Sequence, residues 1–250
     1  MKVLAIASHK GGAGKTTLAA HLAIAAEAAG AGPVAVIDTD PQGSLADWWN
    51  ARGSDAEGFA HTHSSRIEAD LRVLEAAGVA LVFLDTPPSI EPSIASVIAA
   101  ADLTLIPVRP SPHDLRSVGA TLDLAEQAGK PAVFVINGAT PRAGITRDAK
   151  ISLSRAGALA PVTIHQRTAF ADSMTDGRTA REVKSSSTAS REIDALWAFT
   201  AERLAQAGSR TVVQAASPAV PAARRGVASR GVPRVRKVFG QRGQDRRHAA

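Results

Sequence analysis

Residues 10–17 read Lys10-Gly11-Gly12-Ala13-Gly14-Lys15-Thr16-Thr17. They follow a short apolar run, 3–7, and precede an alanine-rich segment, which is the order of a strand, a glycine-rich loop and a helix. Glycines let backbone N–H groups wrap phosphate oxygens, and the start of the helix adds further unpaired N–H groups. The spacing predicts that Lys15 reaches the β- and γ-phosphates of a nucleotide and that the Thr16 hydroxyl binds Mg²⁺.

The segments around this loop alternate between two kinds of pattern. Short runs rich in β-branched residues predict strands, and longer segments rich in alanine and leucine predict helices. The predicted strands are 3–7, 34–37, 79–84, 103–108, 132–136 and 162–164. The predicted helices are 15–29, 66–77, 93–100, 114–128, 146–157 and 190–206. This alternation favours an α/β fold with a doubly wound, mostly parallel sheet flanked by helices.

Acidic residues close two of the predicted strands. Asp38 and Asp40 follow 34–37, and Asp85 follows 79–84. The carboxyl ends of parallel strands face the crevice where such sheets bind ligands, and magnesium–phosphate chemistry uses carboxylates on the metal or its waters. Taken alone, each aspartate is equally typical of a residue that begins a turn. Two acidic boxes downstream of a phosphate loop favour the magnesium interpretation.

Asn137 follows the predicted strand 132–136. Its side-chain amide offers a donor and an acceptor, which match the edge of an adenine base. An asparagine that merely begins a loop remains the alternative.

The loop departs from the common pattern G-x-x-x-x-G-K-[ST], because His9 stands where the first glycine is expected. Its additional lysine and paired glycines resemble the deviant Walker A motif, K-G-G-x-G-K-[ST]-[ST], of the ParA/MinD group of P-loop ATPases. The resemblance covers about residues 1–205 and implies a P-loop NTPase fold that uses ATP and Mg²⁺. It also implies that Lys10 reaches across a nucleotide-sandwiched homodimer to the phosphates of the partner.

The same resemblance assigns roles to the polar residues. Asp40 positions or polarises the attacking water, while Asp38 and Asp85 support the magnesium ion, and Asn137 contacts the base. The catalytic set is Lys10, Lys15 and Asp40, and the magnesium set is Thr16, Asp38 and Asp85. The residues that bind the nucleotide are Gly11, Gly12, Ala13, Gly14, Lys15, Thr16, Thr17 and Asn137.

Composition separates the branches of this group. Cysteine and tyrosine are both absent, so the cysteine-dependent nitrogenase and arsenite-pump branches and the tyrosine-kinase branch are excluded. Residues 106–114 and 163–177 resemble small plasmid-partition ParA proteins of the ParF type. Lys10 lies nine residues after Met1, so no DNA-reading domain is expected ahead of the loop. A biosynthetic amidotransferase or ligase is a weaker alternative, since no further substrate motif is found.

The partition resemblance implies a cytoplasmic, nucleoid-associated cycle. ATP with Mg²⁺ closes the homodimer, the dimer binds DNA nonspecifically, and a ParB- or ParG-like centromere-binding adaptor stimulates hydrolysis. The cycle segregates a plasmid or chromosome. Basic residues in the last third of the body are the candidates for DNA contact, although any one of them is also typical of a solvated helix face. They are Arg142, Arg147, Lys150, Arg155, Arg167, Arg178, Arg181 and Lys184.

The net charge of +6 is unevenly distributed. Residues 208–250 hold ten Lys or Arg and one acid, so they carry +9, whereas residues 1–207 carry −3. The sequence therefore predicts a P-loop ATPase domain over 1–207 and a basic, low-complexity, mostly disordered tail over 208–250. We expect residues 224–247 to tether DNA, with an unselected extension as the alternative.

A MinD-like membrane-associated positioning ATPase is the rival interpretation. Val232, Val235, Val238 and Phe239 can share one face of a basic helix, which is typical of segments that lie on anionic lipid. The stretch is short and contains Pro233, so membrane binding is the less favoured prediction. The sequence has no run of apolar residues as long as a membrane span requires.

Overall fold

A computed structural model describes residues 1–53, 58–88 and 92–207. Within these ranges seven strands form one sheet, and every neighbouring pair that hydrogen-bonds is parallel. The strands are β1 (Lys2–Ile6), β2 (Val34–Asp38), β3 (Phe59–His61), β4 (Leu81–Asp85), β5 (Leu103–Val108), β6 (Ala132–Ala139) and β7 (Leu159–His165).

Helices connect the strands and cover the sheet. In the part of the chain that the structure describes they are α1 (Lys15–Ala28), α2 (Ser44–Ala51), α3 (Ile67–Ala76), α4 (Pro92–Ala100), α5 (Pro112–Gln127), α6 (Gly144–Ala156), α7 (Thr168–Met174), α8 (Ala180–Val183) and α9 (Thr188–Ala207). A single 3₁₀ turn, Ser64–Arg66, precedes α3 in the same ranges.

The strand order, β3-β2-β4-β1-β5-β6-β7, places β1 at the centre of the sheet. The chain winds from β1 towards one edge and later from β5 towards the other edge. The loop after β1 therefore lies where the winding reverses, which is the position at which open α/β sheets bind ligands.

Both faces of the sheet are buried, which explains the continuous apolar runs of the strands. Leu4 and Phe83 pack on one face beneath α1 and α9. Ala5 and Val82, their neighbours in the chain, pack on the opposite face beneath α3 and α4. Helices α5 and α6 extend this second face over β5 and β6. The predicted doubly wound, parallel α/β fold is confirmed.

The six predicted strands and six predicted helices are all present, with ends within about three residues of the predictions. Strand β3 and helices α2, α7 and α8 were not predicted. They have three, eight, seven and four residues, which is too short for a clear hydrophobic period. Among the described helices none is long and apolar enough to cross a bilayer. The predicted basic tail and its alternatives lie outside the described residues.

Candidate functional site

The loop between β1 and α1 is an anion cradle. Gly12 and Gly14 adopt φ of +73° and +89°, a conformation that glycine adopts without strain. A Cβ at Gly14 would also overlap the amide of Asn137, so the loop has no space for a side chain there. Helix α1 begins at Lys15 without a side-chain cap and without an acid in its first turn. Its N-terminal N–H groups and positive dipole end are therefore available to a phosphate.

Lys15 is buried at the base of this cradle, with 7% of its surface exposed. Its Nζ donates to the backbone carbonyl of Lys10 at 3.4 Å. Burial lowers the pKa of Lys15, while the nearby carboxylates of Asp85 and Asp40 oppose that shift. The structure thus brings together Lys15, Asp40 and Asp85, which lie far apart in the sequence, as the interpretation of a nucleotide site requires.

Asp85 is the acid of the cleft that faces Thr16. The Thr16 hydroxyl donates to Asp85 Oδ2 at 2.6 Å, and Asp85 is 1% exposed. The other oxygen, Oδ1, is buried without a hydrogen-bond partner among the described residues. Burial raises the pKa of Asp85 to about 7, against the opposing effect of the Thr16 hydrogen bond. The unpartnered oxygen of Asp85 and the hydroxyl of Thr16 are both hard oxygen ligands, the type that Mg²⁺ prefers.

Asp38 braces the loop that follows β2. Its Oδ1 accepts the N–H of Asp40 at 2.9 Å, and its Oδ2 accepts those of Leu45 and Ala46 at 3.0 and 3.1 Å. The last two bonds satisfy the start of α2, so Asp38 acts as a cap from outside the helix. Burial raises the pKa of Asp38, and these N–H groups oppose the rise. A role in supporting the magnesium ion remains a prediction.

Asp40 lies in the same loop, and its carboxylate accepts fewer described hydrogen bonds than that of Asp38. Its Oδ1 accepts the N–H of Gln42 at 2.9 Å, and its backbone carbonyl accepts the N–H of Gly43 and contacts Nε2 of His61. Asp40 is 9% exposed. Its negative charge opposes the lowering of the Lys15 pKa, so the carboxylate lies within electrostatic range of the phosphate cradle. This position is compatible with the predicted activation of water.

Asn137 lies within β6, two residues before the strand ends, and contacts the phosphate loop. Its Nδ2 donates to the carbonyl oxygen of Ala13 at 2.7 Å. Among the described residues this is the hydrogen bond that the amide makes, so its carbonyl oxygen and second N–H can serve a ligand. The contact fixes the amide next to the loop, and contact with the base stays a prediction.

Lys10 is the first residue of the glycine-rich segment 10–17. Its side chain is half-buried and has no ion pair or hydrogen bond within the described ranges. Gly11 and Gly12, the residues that follow it, are exposed. A half-buried lysine whose ammonium group has no partner among the described residues is available for contact with a second molecule.

The candidate DNA residues fall into two groups. Arg167 is held by Glu192, Arg178 by Asp176, and Arg181 by Asp194. Arg147 lies 3.9 Å from Asp148. The remaining candidates are exposed and have no ion pair in the described part of the chain. They are Arg142, Lys150, Arg155 and Lys184.

Two contacts behind the site were missed by the sequence analysis. His21, one turn after Thr17, is 1% exposed, and its Nε2 accepts the N–H of Ala180 at 3.1 Å. Arg52 forms a two-pronged ion pair with Glu182. Both contacts join the helices of the nucleotide site to α8, which the sequence did not predict. The only available signal was the position of His21 on the buried face of α1.

The family model for the CobQ/CobB/MinD/ParA nucleotide binding domain matches residues 4–185. Maintenance of carboxysome distribution protein A from Halothiobacillus neapolitanus is 31% identical over 185 residues, which cover 70% of this chain and 84% of that protein. The protein of the same name from Gloeobacter kilaueensis is 44% identical over 117 residues, 46% of this chain. The chain thus spans about half (52%) of that relative.

Solved structures show the same fold. The septum site-determining protein MinD from Pyrococcus horikoshii, complexed with Mg-ADP, has a TM-score of 0.67 and 16% identity. The match covers 84% of this chain and 99% of that protein. At this identity the likeness concerns the fold alone. The family model, the carboxysome relatives and the geometry of the phosphate loop agree, and the chain belongs to the CobQ/CobB/MinD/ParA family of nucleotide-binding domains.

Proposed function

We propose that the chain is a positioning ATPase that closes into a homodimer around ATP and Mg²⁺, binds DNA nonspecifically and hydrolyses ATP. The observation that carries the proposal is the cleft in which Thr16, Asp85 and the buried Lys15 meet at the open start of α1. Its charges and donors suit a magnesium-bound triphosphate. Membership of the family supports the same reaction class.

In this proposal the residues of the chain position the reactants, and no covalent intermediate forms. Lys15 and the N–H groups of the loop hold the phosphates, while Thr16 and Asp85 hold the metal. Mg²⁺, when bound, neutralises charge on the phosphate oxygens. Asp40 orients a water molecule towards the γ-phosphate. Because Asp40 is fixed by backbone hydrogen bonds on both sides, little reorganisation is needed when the substrate arrives.

Lys10 supplies the dimer contact. A γ-phosphate in the cradle of one protomer gives the unpaired Lys10 of its partner a counter-charge, and the contact is lost when phosphate leaves. ATP binding therefore stabilises the homodimer, and hydrolysis lets the two chains dissociate.

DNA binding is proposed for the exposed basic residues that form no ion pair with an acid in the described part of the chain. Exposed Lys and Arg gain free energy at DNA by releasing counterions, whereas an arginine already paired with a carboxylate gains less. Arg142, Lys150 and Arg155 lie on or beside α6, and Lys184 follows α8. These four are stronger candidates than Arg167, Arg178 and Arg181. The tail, with its charge of +9, is a second proposed DNA contact.

The cargo is proposed from the relatives and from the sequence resemblance. The names of two relatives refer to carboxysome distribution, so a protein-based compartment is a candidate cargo. A plasmid or chromosome, expected from the partition resemblance, is the other. In each case an adaptor protein on the cargo stimulates hydrolysis. A gene for a small DNA-binding protein beside this one would favour the partition cargo.

ATP turnover, measured with and without unrelated double-stranded DNA, tests the proposal. We expect DNA to raise the turnover of the wild type. Asp40→Ala should retain ATP affinity and lose about 100-fold in kcat, because the water loses its orienting carboxylate. Asp47→Ala is the matched control, since Asp47 is exposed in the first turn of α2, and it should leave kcat unchanged.

Two results would count against the proposal. If the wild type binds ATP and does not hydrolyse it, the proposal that the chain is an ATPase is wrong. Normal hydrolysis by Asp40→Ala would show that another group activates the water.

A further inference from the structure

The loop that holds Asp40 is supported from three sides. Asp38 accepts N–H groups from beneath it, and Thr39 bonds to the backbone carbonyl of Asp85 through its N–H and its hydroxyl, at 3.0 and 2.7 Å. The third support is His61 at the end of β3, whose Nε2 lies 3.1 Å from the Asp40 carbonyl oxygen. Strand β3 is an edge strand of the sheet, and His61 is exposed. Among the described residues, His61 makes the one side-chain contact from this strand to the Asp40 backbone.

The chemistry of the contact fixes its direction. A carbonyl oxygen only accepts hydrogen bonds, so Nε2 of His61 carries the hydrogen and donates it. The Asp40 carbonyl also accepts the N–H of Gly43 at 2.9 Å, which closes the turn. Two donors thus hold the peptide group of Asp40 in place, one from within the turn and one from β3.

The sheet places His61 there by register. Strand β3 pairs in parallel with β2, and His61 lies opposite Asp38. The N–H of Thr62 donates to the Asp38 carbonyl at 3.0 Å, so the backbone on both sides of the contact is fixed. A side chain anchored in this way restrains the loop without entering the cleft itself.

We propose that His61 is a positioning residue for ATP hydrolysis: its Nε2–H fixes the Asp40 carbonyl and thereby the direction of the Asp40 carboxylate. The inference rests on the proposed function of Asp40. His61 acts on the chemical step, because the phosphate cradle is the loop between β1 and α1, Lys15 and Thr16 lie in α1, and none of the described hydrogen bonds of His61 reaches them. Its loss lowers kcat and leaves nucleotide affinity unchanged.

Steady-state ATP hydrolysis by the full chain tests this, with the Kd for a nonhydrolysable ATP analogue measured in parallel. His61→Ala removes one hydrogen bond and should lower kcat about fivefold at unchanged Kd. His61→Gln should restore most of kcat, because the glutamine amide nitrogen lies about as far from Cβ as Nε2 does. His61→Asn should not, because its amide is one bond shorter.

His63→Ala is the matched control. His63 is exposed two residues further along the chain, and its ring contacts Ser65 instead of the Asp40 loop. It should leave kcat unchanged. Hydrogen exchange of the peptide that spans Asp40 to Gly43 gives a second readout without turnover, and it should quicken in His61→Ala and stay unchanged in His63→Ala.

The outcomes separate the two proposals. No hydrolysis by the wild type removes the proposed function, and this inference with it. Hydrolysis by the wild type with an unchanged kcat in His61→Ala overturns the inference alone. A weaker Kd with unchanged kcat, or an equal loss in His63→Ala, overturns it as well.

Discussion

The carboxylate of Asp38 accepts three backbone N–H groups, whereas that of Asp40 accepts one among the described residues. The two acids lie two residues apart at the end of one strand, and the sequence predicted both positions. Which of them braces the loop depends on where α2 begins, because Asp38 caps that helix. Since α2 was not predicted, the residue pattern alone could not show that Asp38 caps it, and the separate roles of Asp38 and Asp40 came from the family resemblance.

His21 is a titratable residue whose environment sets a pH dependence of stability. It is buried between α1 and α8, and its ring contacts the Thr17 carbonyl and the Ala180 N–H. Burial lowers the pKa of His21 to about 4, against the opposing effect of the Thr17 carbonyl. The unfolded chain, in which the pKa is about 6.5, binds the proton more tightly, so stability falls as pH drops through this window.

We expect the wild type to lose about 2 kcal/mol of unfolding free energy from this group between about pH 7 and about pH 5. Urea denaturation at several pH values measures the loss. His21→Gln should flatten the curve over this interval, whereas His63→Gln, at an exposed site, should leave it as in the wild type. A wild-type slope that His21→Gln does not change would contradict the assignment.

At the scale of elements, the connection between α7 and α8 packs against two helices of the nucleotide site. Trp48 and Arg52 of the α2 region donate to the carbonyls of Arg178 and Gly177 at 3.1 and 2.8 Å. Arg52 also pairs with Glu182, and although burial would raise the pKa of Glu182, the bonds from Arg52 and Thr179 lower it overall. The start of α8 thus depends on α1 and α2 together.

Gly177 is the residue that this close packing requires. It adopts a φ of +76°, and a Cβ would overlap the backbone of Arg52. Gly177→Ala should lower the unfolding free energy by about 3 kcal/mol, from the strained φ and the forced separation of α2. Thermal or denaturant unfolding measures the loss.

Gly119→Ala is the matched substitution in the opposite direction. Gly119 lies within α5, its φ is not positive, and a Cβ there meets nothing within 4 Å. Alanine should therefore stabilise the chain by about 0.5–1 kcal/mol. If Gly177→Ala and Gly119→Ala change the unfolding free energy by the same amount, the close packing of Gly177 against Arg52 does not contribute to stability as proposed.

At the scale of the whole molecule, the chain folds as the alternation of its apolar runs predicts. Strands buried on both faces produce a strong local signal, and the phosphate loop combines glycines, lysine and threonine in one short segment. The contacts of Asn137 with Ala13, and of His61 with Asp40, join residues far apart in the sequence. Nothing local in the sequence marks such pairs, because they arise only when parallel strands bring their carboxyl ends together.

The central claim is that ATP joins two copies of this chain through Lys10. Light scattering of the protein saturated with a nonhydrolysable ATP analogue and Mg²⁺ tests it most directly, with occupancy measured on the same sample. The account predicts a doubled molar mass for the wild type. Lys10→Ala should bind the analogue and remain a single chain, and Lys15→Ala should not bind it. A wild type that is fully occupied by the analogue and still has the mass of one chain would contradict the account.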